Sequence, residues 1–89
     1  MGGVEALKTA AQKVQERGEV YGTPRVDMAR IAAIWSQLLG VEIVPAQVPM
    51  CMIAVKLSRL VTSPNHEDSV VDIAGYAAVM SECQERGET

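Results

Sequence analysis

The sequence predicts an all-α protein, a compact bundle of about four helices that associates into a dimer or a higher oligomer. Three observations predict it. Apolar residues recur at three- and four-residue spacing through most of the chain. Glycine, proline and capping residues interrupt that pattern where helices should stop and start. The hydrophobic residues, 48% of the total, are mostly slim: with one Trp, two Tyr and no Phe, the interior must be built from Ala, Val, Ile, Leu and Met, which suit closely packed helices. Eighty-nine residues make a single helical domain, 1–89, near the lower limit for a chain that folds unaided.

The first helix is expected over about Val4 to Arg17, where Val4, Leu7, Ala11 and Val14 recur at helical spacing and Glu5, Lys8, Lys13 and Glu16 fall on the wet side. Gly18 reads as its C-cap and residues 18–24 as a connector. Thr23-Pro24 supplies an N-cap followed by proline at the first helical position. The second helix runs from there to about Leu39, with Met28, Ile31, Ala32, Trp35, Leu38 and Leu39 on one stripe and Gly40 at its end. Val41-Glu42-Ile43-Val44 alternates like a strand but has no partner, so it reads as an extended linker. The third helix spans roughly Pro45 to Thr62, with Pro49 requiring either a later start or a distorted first turn. The fourth begins near Asn65, capped by that residue with Asp68 reaching back, and continues to about Arg86, with Gly87 as C-cap. Gln-Glu-Arg-Gly-Glu occurs at 15–19 and 84–88, each time closing a helix. Two copies of five residues do not make a repeat architecture.

Oligomerisation follows from two segments that are apolar nearly all round. Residues 50–55 are all apolar or Cys, and between Val70 and Met80 only Asp72 is charged. Four short helices enclose one such helix well and not two, so the third and fourth are expected to form an interface between copies. Each extra Leu or Ile buried there contributes about 2 kcal/mol.

Composition excludes several classes. A net charge of −3, with eight scattered Lys and Arg, argues against a long nucleic-acid partner while leaving room for a small phosphorylated ligand. No apolar run is long enough to span a bilayer, and neither a secretory signal nor a myristoylation pattern is present, so a cytoplasmic protein with no membrane partner is expected. Cys51 and Cys83 read as reduced thiols, and with His66 alone as an imidazole source zinc has no support. Ser58, Ser63 and Ser69 form no nucleophile arrangement with His66, which reads as a loop residue, and no phosphate-cradling glycine loop occurs.

The residues able to carry chemistry are few. Lys56 and Arg59, three apart, share a helix face and are the cations between Arg30 and Arg86. A lysine point charge beside an arginine fork can grip a phosphate, although snorkelling and a structural pair are the ordinary alternatives. Asp68 and Asp72, one turn apart, could hold Mg²⁺, although first-turn acids such as Glu67 and Asp68 already suit the helix dipole. Asp72 lies inside an apolar run and needs a cation. An Asp72–Arg59 ion pair is the leading structural expectation, with Lys56 as the other candidate. Tyr76, one turn beyond Asp72, and Tyr21 in the connector could contact a base, and Gly75 could permit close helix contact.

Tyr21-Gly22, Ile31-Ala32-Ala33-Ile34-Trp35, Lys56-Leu57-Ser58-Arg59-Leu60 and the run from Asp68 to Ala77 together resemble a small family of phage proteins. The run from Asp68 also resembles the closing helix of the nucleotide-modification-associated helical domains of phage genomes. More distantly it is similar to the MazG-like all-α nucleotide pyrophosphohydrolases. The resemblance implies a helical bundle, usually dimeric or higher, that handles nucleotides in the cytoplasm of an infected bacterium. MazG-like enzymes bind Mg²⁺ through a Glu-Glu-x-x-Glu run and a later Glu-x-x-Asp. This chain has no Glu-Glu-x-x-Glu, a single acid, Asp27, in the second helix and none in the third. The first expectation is therefore a non-catalytic or weakly catalytic nucleotide-phosphate-binding protein, such as an anti-defence sponge, with Lys56, Arg59, Tyr76, Tyr21 and Asp72 at the site and no cofactor. The second is a Mg²⁺-dependent pyrophosphohydrolase using Asp68 and Asp72. The third is a protein-interaction inhibitor of a host factor.

Overall fold

The computed structural model describes residues 1–84. They form four α-helices, α1 (Gly3–Tyr21), α2 (Pro24–Leu39), α3 (Gln47–Thr62) and α4 (Glu67–Gln84), and no strand occurs among them. The expected end of the fourth helix at Arg86, its Gly87 cap and the rest of the second pentapeptide lie outside the described residues. Helix α4 is the centre of the bundle and packs on the other three, while α1 and α3 lie against it without packing on each other. No described helix is long and apolar enough to cross a membrane.

Helix boundaries follow the capping chemistry, with three departures from the sequence expectations. First, α1 continues through Gly18 to Tyr21 and ends at Gly22, whose φ of 90° suits glycine and whose N–H donates to the Gly18 carbonyl at 3.1 Å. Glycine within a helix costs only about 1 kcal/mol against alanine, so Gly18 is tolerated and the stop falls where a left-handed angle is needed. The connector shrinks to Gly22-Thr23. Second, α3 begins at Gln47, so Pro49 sits in the first turn, where its missing donor has no intrahelical acceptor to lose. Gln47 Oε1 accepts the Val44 N–H at 2.8 Å and fixes the entry. Third, α4 is capped by His66 and not by Asn65 with Asp68: the Ser69 N–H donates to His66 Nδ1 at 3.2 Å, and that nitrogen lies 2.8 Å from Ser69 Oγ. His66 is thus a helix cap and more than the loop residue expected, because its ring nitrogen reaches the N–H three residues on as an Asn oxygen would.

The remaining boundaries match expectation. Thr23 Oγ1 accepts from the Val26 N–H at 3.3 Å with Pro24 at the first position, and Gly40 closes α2 at a left-handed φ of 71°. Residues 41–44 are an irregular linker anchored at Ile43, whose N–H donates to Ser36 Oγ at 2.8 Å.

The interior is small. Met28, Ala32 and Val48 form a buried cluster, with Trp35, Ile43 and Val79 packed against it, and Ala10 and Val71 are buried elsewhere. The inward face of α1 differs from the expected stripe: Ala10 is buried, while Val4 and Leu7 are 68% and 62% exposed. Small residues set this rotation. Opposite Ala10 stands Gly75 of α4, where an added Cβ would lie 3.6 Å from Val14 Cγ2 and 4.0 Å from the Ala10 carbonyl oxygen. Both distances are ordinary van der Waals contacts, so the two helices meet on small side chains with room for a methyl group at Gly75.

Candidate functional site

Ion pairs and a pocket meet at α4. From α1, Lys13 Nζ lies 3.5 Å from Asp72 Oδ1 and 3.6 Å from Asp68 Oδ1; from α3, Lys56 Nζ lies 3.2 Å from Asp72 Oδ2. Asp72 thus holds an ammonium on each carboxylate oxygen and ties the two flanking helices through the central one. The Lys56 side chain is 13% exposed and that of Asp72 27%, so their attraction offsets part of the hydration that each gives up. Asp68, 75% exposed, gains little from its share of Lys13.

Beside this cluster, α1, α2 and α4, with Lys56 of α3, line a half-open pocket of about 530 Å³, within the size range of small-molecule sites. Lys13, Lys56 and Asp72 stand in its wall, as do Tyr76 from α4 and Tyr21 from the last turn of α1. Arg17 also lines it; its side chain is exposed and its guanidinium lies over the Tyr21 ring, 5.1 Å from the centroid. Across from α1, Asp27 enters the wall with its side chain only 14% exposed, and one carboxylate oxygen accepts from Arg30 at 3.3 Å. The pocket combines cations, acids and two aromatic rings on a rigid helical frame.

A family model, described as a domain of unknown function, DUF6378, matches residues 5–84. The chain belongs to the DUF6378 family. It is 39% identical over 80 residues to the Gene 55 protein of Mycobacterium phage L5, covering 88% of this chain and 51% of that one. It is 37% identical over 84 residues to the Gene 55 protein of Mycobacterium phage D29, covering 92% and 53%. This chain therefore spans about half the length of these relatives. No solved structure matches it.

In this DUF6378 chain the residues singled out from sequence divide. Lys56, Asp72, Tyr76 and Tyr21 come together at the pocket. Arg59 does not: it is exposed and lies outside the pocket wall. The expected Asp72–Arg59 pair is replaced by Asp72 with Lys56 and Lys13, since Lys56 lies nearer the pocket and α1 brings in a second amine. Asp68 and Asp72 do share a face, but Lys13 spans both, and no group of three or more potential metal-ligating His, Cys, Asp or Glu side chains occurs among the described residues.

Sequence reasoning missed Lys13, Arg17 and Asp27. Periodicity places Lys13 on the wet side, and its side chain is indeed 43% exposed; the packing of α1 on α4 brings its amine to Asp68 and Asp72. The signal for Arg17 was local: with Gly18 inside the helix, Arg17 and Tyr21 are one turn apart on one face. Of the two thiols, Cys51 is exposed, and Cys83 is partly covered. Burial raises the Cys83 thiol above its ordinary pKa, with Arg25 pulling it back and Glu82 adding to the rise.

Proposed function

We propose that this protein binds a nucleotide by its phosphate in the pocket between α1, α2 and α4, and holds it without cleaving it. The observation that carries this reading is the convergence of Lys13 and Lys56 on Asp72 in the wall of a pocket that also presents Tyr21 and Tyr76. Asp72 keeps both ammoniums in place before a ligand arrives, which lowers the ordering cost of binding an anion. The tyrosine rings offer flat surfaces to a base. The resemblance to nucleotide-handling helical domains supports the same reading, and the relatives in two phages fit a phage setting for it. In an infected bacterium, a stoichiometric binder would withdraw a nucleotide signal from host defence.

The MazG-like reading asks Asp68 and Asp72 to hold Mg²⁺. Lys13 Nζ now lies against both carboxylates, so a divalent ion would have to displace it. That arrangement favours binding over hydrolysis.

The association between copies expected from the sequence draws on α3. Met50, Ala54, Leu57 and Val61 form an uncharged stripe at four-three-four spacing, and all of them are exposed in the single chain. That spacing is the seam of a helix pair. A second copy, presenting the same stripe about a two-fold axis, is the partner we propose for this face of α3.

The experiment is to incubate the folded protein with mono-, di- and cyclic nucleotides and Mg²⁺, separate it from free ligand, denature it and analyse what is released. Intact nucleotide released from the wild type and lost with Lys13→Ala/Lys56→Ala is the expected result. Cleaved nucleotide would establish the hydrolase instead, and no retention of any nucleotide would contradict both.

A further inference from the structure

The charged groups lining the pocket balance: Lys13, Arg17 and Lys56 against Glu16, Asp27 and Asp72. They are not equally committed. Lys13 and Lys56 are engaged with Asp72, Asp27 holds Arg30, and Glu16 accepts from Gln12 at 3.1 Å. Arg17 has no carboxylate partner among the described residues; its guanidinium rests on the Tyr21 ring. A stacked guanidinium keeps its N–H fork free, and that fork matches the paired oxygens of one phosphate group.

From this we infer that the ligand carries a single phosphate group, that of a nucleoside monophosphate, and that Arg17 supplies the fork that completes the grip begun by Lys13 and Lys56. The inference rests on the nucleotide-binding reading and narrows it. The Lys13–Lys56–Asp72 cluster keeps one net positive charge and Arg17 adds another, with Glu16 and Asp27 opposing them, so the lining suits an anion of one or two charges. A triphosphate brings about four charges into a lining that also presents the carboxylates of Glu16 and Asp27, which repel the added charge. The carboxylates of Asp27 and Glu16 can accept from base or ribose N–H and O–H groups, so the acids that repel extra phosphates also recognise the nucleoside.

The test is calorimetric titration of the full chain, without divalent metal, using adenosine and guanosine, their 5′-monophosphates and their 5′-triphosphates. At least one monophosphate should bind, with its triphosphate and its nucleoside each weaker by about tenfold or more, a gap of about 1.4 kcal/mol. Arg17→Ala should reduce monophosphate affinity by about tenfold or more, Arg17→Lys should recover only part of it, and Arg59→Ala should leave it unchanged. A triphosphate that binds as tightly as the monophosphate would overturn this inference while leaving the pocket a nucleotide site. Binding of neither would overturn the pocket reading as well. Should Arg17→Ala lose its helical circular dichroism, Arg17→Lys decides: wild-type affinity in that variant would remove the guanidinium fork from the account.

Discussion

On the pocket side of the bundle, charge is drawn inward. Lys56 and Asp72 are 13% and 27% exposed, and Asp27 is 14% exposed at the opposite wall. On the outer face of α3, apolar surface is pushed outward: Leu57 is 53% exposed, Met50 50% and Val61 81%. Stability alone favours neither arrangement. Half-buried ions give up hydration that apolar residues of similar size would not need, and exposed aliphatic side chains leave unused the burial that drives folding. The first region therefore reads as a surface shaped for a polar ligand, and the second as a surface shaped for cover. The same helix supplies both, since Lys56 and Leu57 are adjacent in sequence and point to different sides.

The largest expected effect separates core from seam. Val71→Asp, at a position 2% exposed, places an unpaired carboxylate in the interior and should cost about 4 kcal/mol or more, enough to unfold so small a domain. Val61→Asp should change the stability of the isolated chain by less than about 0.5 kcal/mol, yet abolish any concentration dependence of melting. Chemical denaturation at several protein concentrations measures both. A wild-type midpoint that never moves with concentration would break the comparison, because the α3 face would then be bare in solution.

A smaller effect concerns the ion-pair cluster. Asp72→Asn leaves Lys56 largely covered and without its carboxylate, and should destabilise by about 1–2 kcal/mol, discounted from the cost of a fully buried pair because both groups retain some water. Asp68→Asn, on the exposed acid that shares Lys13, should cost less than about 0.5 kcal/mol. Equal losses from the two variants in urea denaturation would contradict the unequal roles assigned to them.

The smallest effect is chemical. Cys51 is exposed, whereas burial raises the Cys83 pKa and keeps that thiol protonated to higher pH. Since the thiolate is the nucleophile, alkylation should label Cys51 first, and labelling of Cys83 should accelerate only as the pH rises past its raised value. Mass spectrometry of a timed iodoacetamide reaction reads the order. Slower labelling of Cys51 at high protein concentration would sharpen the comparison by placing a second copy over α3.

Much of the fold was legible because helix punctuation is local. Thr23-Pro24 and Gly40 bound α2 through chemistry confined to a few residues, and the same signals foretold all four helices. The misreadings occurred where one local cue competed with another. Gly18 looks like a stop, but Gly22 four residues later satisfies the cap geometry better; Asn65 looks like the cap, but His66 stands at the right distance from the Ser69 N–H. The site was half legible. Lys56, Asp72 and Tyr76 follow from charge inside an apolar run and from one-turn spacing. Lys13 and Asp27 could not be found that way, because their place at the pocket depends on how α1 and α2 pack against α4, which helical periodicity does not encode. Arg59 was chosen for its spacing from Lys56, and three residues along a helix sufficed to carry it out of the pocket.

The most direct test of the central claim is an amide chemical-shift titration of isotope-labelled protein with a nucleoside monophosphate. The account predicts saturable shifts at Lys13, Arg17, Tyr21, Asp72 and Tyr76, with little change at Met50, Leu57 and Val61. Shifts centred on α3 with the pocket silent, or no saturable shift at all, would contradict it.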